Sequence, residues 1–165
     1  MNNTSINRGY NPLEPIRVAY WNKNYDEALQ RCHALSYSIF HQDFRPNPLW
    51  EEAAISLCNA LILEVCRACY AAKTPELVTM HTVSDMLCEL GSYSDESGAT
   101  ALDKLFGDLA TDDLARRQYE NITVTQGPVR LIVYTTTLAG LQAFGRGDAD
   151  LATSVQPDRI KNVEM

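Results

Sequence analysis

Apolar residues recur along this chain at intervals of three and four, the spacing that gives a helix one buried face. Tyr25, Ala28, Leu29, Cys32, Leu35 and Ile39 form one such stripe, and Asn24 with Glu27 predicts a capping box at its start. Pro12 and Pro15 make the entry irregular, with a short helix over Glu14–Trp21, and the segment His41–Asn47 closes the longer one. Pro48 suits the first turn of the next helix, where its missing N–H would have no partner anyway. That helix should run to about Ala72, before Thr74-Pro75 stops it, and it is apolar around most of its circumference. Such a helix belongs at the centre of a fold.

Beyond it, a helix starting between Thr79 and Thr82 should end at Leu90, with Gly91 as its C-terminal cap residue. Ser92–Ala99 is polar and reads as a loop. Thr100 and Asp103 form a second capping box, ahead of a narrow stripe of Leu102, Leu105, Phe106 and Leu109. Thr111 is the expected cap of the following helix, with Asp112 and Asp113 at its positive end. Gln126-Gly127-Pro128 interrupts the pattern, and Pro128 restarts a helix expected to bury Val129, Ile132, Val133 and Phe144 and to end at Gly145. Val124 and the β-branched run Val133–Thr137 would also suit a short strand. The periodic segments are too long for strands, so the prediction is one all-α domain of about seven helices around a central apolar helix, with 1–9 and 155–165 as linker ends.

Charge narrows the partners. With 14 basic and 21 acidic side chains the net charge is −7, which suits basic proteins better than the phosphate backbone of a duplex. The five cysteines (Cys32, Cys58, Cys66, Cys69 and Cys88) are an odd number and mostly fall on apolar helix faces, which points to free thiols in a reducing cytoplasm. Met1–Arg8 is polar and does not resemble a signal peptide. The longest membrane candidate, Ala53–Ala72, is broken by Asn59, Glu64 and Arg67, so a soluble chain is expected.

Several landmarks stand in a suggestive order. Tyr10-Asn11-Pro12-Leu13 comes first, and Trp50 precedes the long apolar run Ala53–Tyr70. Val83, Met86 and Leu87 give a Val-x-x-(Leu/Met)-Leu pattern. Tyr119 and Leu141-Gln142-Ala143-Phe144 follow, with Leu151-Ala152-Thr153-Ser154 after them. From Tyr10 to Ser154 this resembles the all-α domain of the TraG/TraD-type coupling proteins of type IV secretion. In that family the domain is inserted in a RecA-like motor and is implicated in receiving cargo. The resemblance therefore implies a substrate-recognition domain docking a relaxase, a relaxosome accessory protein or a secreted effector for conjugative DNA transfer, with the motor domain of the same protein as a further partner. Relatives usually carry a Lys-Thr-like pair where this chain has Gly127-Pro128, so no role of that pair carries over. The sequence also lacks G-x-x-x-x-G-K-[ST] and an apolar strand ending in Asp, so the family's ATPase activity does not transfer to it. The expectation is a non-catalytic, monomeric domain that needs no cofactor or metal.

The chemistry-bearing residues divide in the same way. Asp85, Glu89, Asp95, Glu96, Asp103, Asp108, Asp112 and Asp113 are acidic, and Lys104 is the one base among them. They form either a dock for basic cargo or a solvated face with helix caps. Asp95, Glu96, Asp112 and Asp113 are the docking candidates, with Asp95 and Glu96 foremost as loop residues without a capping role. Arg116, Arg117 and Arg130, with Arg146, offer the alternative of phosphate contact with single-stranded DNA, against helix-spaced ion pairs to Asp112, Asp113 or Glu120. Cys66-Arg67-Ala68-Cys69 has C-x-x-C spacing but no second pair to complete a zinc site, so core packing is expected. His33, His41 and His81 are scattered, and His41 near Asp43 has no nucleophile beside it in sequence. Tyr20, Trp21 and Trp50 read as core or half-buried residues, with interface anchoring as the alternative.

Overall fold

The computed structural model describes residues 10–41, 48–92, 94–125 and 127–146, with the side chains of 48, 49, 145 and 146 excepted. The expected linker ends, the segment 42–47 with Asp43, the Arg146 side chain and the Leu151–Ser154 turn lie outside the described residues. Those residues form seven α-helices: α1 (Glu14–Trp21), α2 (Tyr25–Phe40), α3 (Pro48–Ala72), α4 (Met80–Gly91), α5 (Ala101–Asp108), α6 (Leu114–Glu120) and α7 (Pro128–Arg146). A 3-10 turn, Pro75–Leu77, links α3 to α4. Among the described residues the one β feature is an isolated antiparallel bridge between Ser94 and Thr100. The fold is all-α, as predicted.

The 25-residue helix α3 spans about 37 Å at 1.5 Å per residue and touches α1, α2, α4, α6 and α7. Leu57, Cys58, Leu61, Ile62 and Leu63 are fully buried, which explains why no polar face was visible in its sequence. It is long and apolar enough to cross a membrane, but most of its surface is covered by the other helices. Two polar side chains lie buried in it, Asn59 and Glu64. Glu64 is neutralised within the helix, accepting from Arg67 Nε at 2.8 Å and Nη2 at 2.6 Å. Pairing of this kind is what lets a carboxylate remain in a core.

The Tyr10–Leu13 element has a clear structural role. Asn11 Oδ1 accepts from the Leu13 amide at 3.0 Å, and its Nδ2 donates to the Val78 carbonyl at 2.6 Å. One amide thus shapes the entry turn and fastens it to the end of the 3-10 turn. Leu13 and Ile16 can then enter the core. At the other side of the fold, α7 crosses the end of α2 so closely that a Cβ at Gly140 would collide with the Phe40 ring.

Local details depart from the sequence pattern. Asn24 precedes α2 but makes no side-chain cap bond; its Nδ2 instead donates to Glu27 Oε2 at 2.7 Å. The buried face of α2 is Ala28, Cys32, Ser36 and Phe40, one residue round from the expected stripe; Tyr25 is exposed and Leu29, Leu35 and Ile39 lie at the margin. Gly91 is the last residue of α4, where a Cβ would stand 3.3 Å from the Leu87 and Tyr134 side chains, and Ser92 is the cap. Asp113 rather than Thr111 caps α6, accepting from the amides of Ala115 (2.8 Å) and Arg116 (3.2 Å). The β-branched run Val133–Thr137 is helical, since α3, α4 and α2 supply the surface it packs on. In α7 the buried residues are Val133, Tyr134, Thr137 and Leu141, whereas Ile132 is exposed and Val129 and Phe144 are half-buried.

Candidate docking surface

The acidic segment between α4 and α5 is a closed loop. The Ser94–Thr100 bridge joins its ends, and Gly98 takes the positive φ (+84°) that the return turn requires. Asp95 organises the interior: its Oδ1 accepts from the Ser97 amide (2.8 Å), the Ser97 hydroxyl (2.5 Å) and the Ala99 amide (3.1 Å). The Ser97 hydroxyl and these amides hold its carboxyl below the usual aspartate range. Glu96 stands exposed on the same loop. Asp112 is exposed ahead of α6, whereas Asp113 is spent on the cap. Of the four docking candidates, Asp95 (exposed) and Asp113 (half-buried) accept from backbone amides, and Glu96 and Asp112 are exposed and not part of such a turn or cap.

The arginines sort differently. Arg116 Nη1 donates to the carbonyls of Gly107 (3.0 Å) and Leu109 (2.6 Å), satisfying the end of α5, while its Nε reaches Glu120 at 3.2 Å. Arg130 is turned inward, with Nη1 2.7 Å from Asp103 Oδ1 and Nη2 near the carbonyls of Ile122 and Thr123. Arg117 alone of the three is exposed.

Asp103 is the hub of this half of the molecule. Its amide donates to Thr100 Oγ1 while its Oδ2 accepts from the Thr100 amide, completing the predicted capping box. Its Oδ1 accepts from Arg130 and, at 2.7 Å, from the Tyr119 hydroxyl. Tyr119 has one hydroxyl hydrogen, so in the 2.6 Å contact between the two phenols Tyr134 must donate to Tyr119. Burial raises the pKa of both phenols, and the neighbouring phenol and carboxylate push Tyr119 further up. Phe106 stacks on Tyr119 at 4.3 Å.

The remaining candidates have structural settings. Cys32, Cys58, Cys66 and Cys69 are buried and Cys88 is exposed. Burial pushes the Cys58 and Cys66 thiols up to about 12. His41 Nδ1 lies 2.6 Å from Glu51, and His81 pairs with Asp85 at 3.2 Å on an exposed face of α4. Trp21 donates to the Cys66 carbonyl at 3.1 Å with the Arg17 guanidinium over its ring. Among the described residues no three His, Cys, Asp or Glu side chains gather as a metal site.

One feature escaped the sequence pattern: a groove of about 580 Å³ among α2, α3 and the end of α6, lined by His33, Glu52, Ser56, Gln118, Asn121 and Val124 among others. Its only advance signal was Asn59, a polar residue in an otherwise apolar helix, which proves to bond to Gln118. No family model matches the chain, and no curated protein or solved structure matches it.

Proposed function

We propose that this is a protein-docking domain of the TraG/TraD coupling-protein type, receiving a relaxase, a relaxosome accessory protein or a secreted effector for conjugative transfer. The observation that supports it is a sorting of charge. Arg116 and Arg130 are committed to carbonyls and carboxylates of their own fold, while Glu96 and Asp112 project into solvent with Glu89 and Asp108. A surface built this way attracts basic protein and repels phosphate. Docking is reversible and involves no covalent step by this chain, whose place in the cytoplasm follows from the same reading.

The test is fluorescence anisotropy of the purified chain with its cognate relaxase and, separately, with single-stranded DNA, at low and moderate salt. Binding of relaxase that is lost in Glu96→Lys/Asp112→Lys supports the reading. Binding of DNA alone, collapsing with salt and lost in Arg117→Ala, overturns it in favour of a strand-binding module.

A further inference from the structure

The segment 121–145 contains a single charged side chain, Arg130, and that one is turned inward onto Asp103. The outer face of α7 therefore exposes no charge between Pro128 and Phe144, whereas every other helix exposes at least one charged side chain, such as Glu14 on α1 or Glu52 on α3. Leu131 (62% exposed) and Ile132 (45%) stand on this face, followed by Thr135, Ala139 and Ala143. The Thr135 hydroxyl is already satisfied within the helix, donating to the Leu131 carbonyl at 2.9 Å. Covering it would therefore leave no polar group stranded.

Charge and shape together select what covers the strip. A phosphodiester or a strongly charged peptide finds no counter-charge on it. A helix that lies on an anionic lipid surface needs Lys and Arg beside its apolar face, and a chain of net charge −7 is repelled by such a surface. A second copy is also repelled wherever two acidic exteriors meet, but not across this uncharged strip. The strip is graded in size as well. Leu131 and Ile132 occupy its first half, and Ala139 and Ala143 its second. An antiparallel pairing about a two-fold axis near Thr135 sets the large half of each copy against the small half of the other. A parallel pairing would set large against large and leave a gap between the alanines. From Pro128 to Ala143 the strip is about 22 Å long and about 10 Å wide. That falls short of the about 800 Å² per partner of a standard complex, so the association is reversible.

We propose that α7 pairs antiparallel with α7 of a second copy, forming a weak two-fold dimer in place of the monomer expected from sequence. The inference stands apart from the docking reading and does not rest on it.

Sedimentation equilibrium of the full chain from about 10 μM to about 1 mM, at low and moderate salt, measures the pairing. The mass should rise towards twice that of the monomer, and salt should strengthen the dimer by screening its net charge. Leu131→Glu and Ala139→Glu should each weaken it about tenfold or more, since each sets a carboxylate in an apolar contact. Both positions are exposed, and circular dichroism verifies that the variants fold. In a Cys88→Ser background, Thr135→Cys at the axis should cross-link two copies when diamide is added. Asp26→Cys, exposed at the start of α2, should not. A monomer at every concentration, a dimer that tolerates both glutamates, or one that Thr135→Cys does not trap, overturns the inference. Binding of the monomer to phosphatidylcholine vesicles that is lost in Leu131→Glu also overturns it, and assigns the face to lipid.

Discussion

Around α3, helices α1 and α2 are held by apolar contact, with Leu13, Ile16, Ala28 and Cys32 buried against Leu57, Leu61 and their neighbours. On the other side, α5, α6 and α7 meet at a junction of polar groups: Thr100, Asp103, Tyr119, Arg130 and Tyr134. Apolar burial is strong and non-directional, so the first region gains stability and tolerates some change of shape. Hydrogen bonds contribute less but fix direction, so the second region gains orientation. That orientation matters because the same Asp103 that holds Arg130 also caps α5 where the acidic loop ends.

The comparison can be broken first at its apolar end. Leu61→Ala, at a fully buried position of α3, should cost about 3 kcal/mol in urea unfolding, with Leu61→Met losing far less. At the polar junction Arg130→Met should cost about 2 kcal/mol, because it leaves Asp103 short of its cation in a partly buried site. Asp103→Asn/Arg130→Met should cost less than the sum of its two single variants, and strictly additive losses would show the pair to be uncoupled. Tyr134→Phe should cost about 1 kcal/mol, since it removes the hydroxyl that meets Tyr119 and Thr100 and leaves the ring packed.

Thiol chemistry sharpens the contrast without changing stability. In the native protein Cys88 should react promptly with a disulfide reagent, whereas Cys32, Cys58 and Cys66 should label only as fast as the protein opens. Equal rates for all would mean that the apolar half is not closed. The smallest effect belongs to Asp95. Its folded pKa is depressed, so its contribution to loop order is complete above the unfolded value of about 4 and fades as pH falls through the lower folded one. Amide exchange at Ser97 and Ala99 should therefore be insensitive to Asp95 ionisation at neutral pH and lose protection in acid, with Asp95→Asn weakening it throughout.

Much of this architecture was legible in the chain because helices announce themselves through period and punctuation. Pro48 and the Thr100–Asp103 box marked their starts correctly, and the apolarity of Ala53–Tyr70 around most of the helix marked a central one. Where the pattern misled, tertiary partners decided. Gly91 ends α4 one residue later than the pattern suggested, at a place where a Cβ would press on Leu87 and Tyr134. Ile132 faces out because α7 meets its neighbours through Tyr134, Thr137 and Leu141. The groove could not be read in advance, since it joins residues from three separated segments, and one of those residues, Gln118, is held by a buried amide. The acidic candidates were visible as charges, but which of them accept from backbone amides is a matter of loop geometry.

The crossing of α2 and α7 carries a consequence for how such a chain can change over time. The Phe40 ring occupies the volume that any side chain at position 140 would need, so the two positions share a single allotment of space. A larger residue at 140 becomes acceptable only with a smaller one at 40. Among any descendants of this sequence position 140 should therefore depart from glycine only where position 40, remote in the chain, has become smaller.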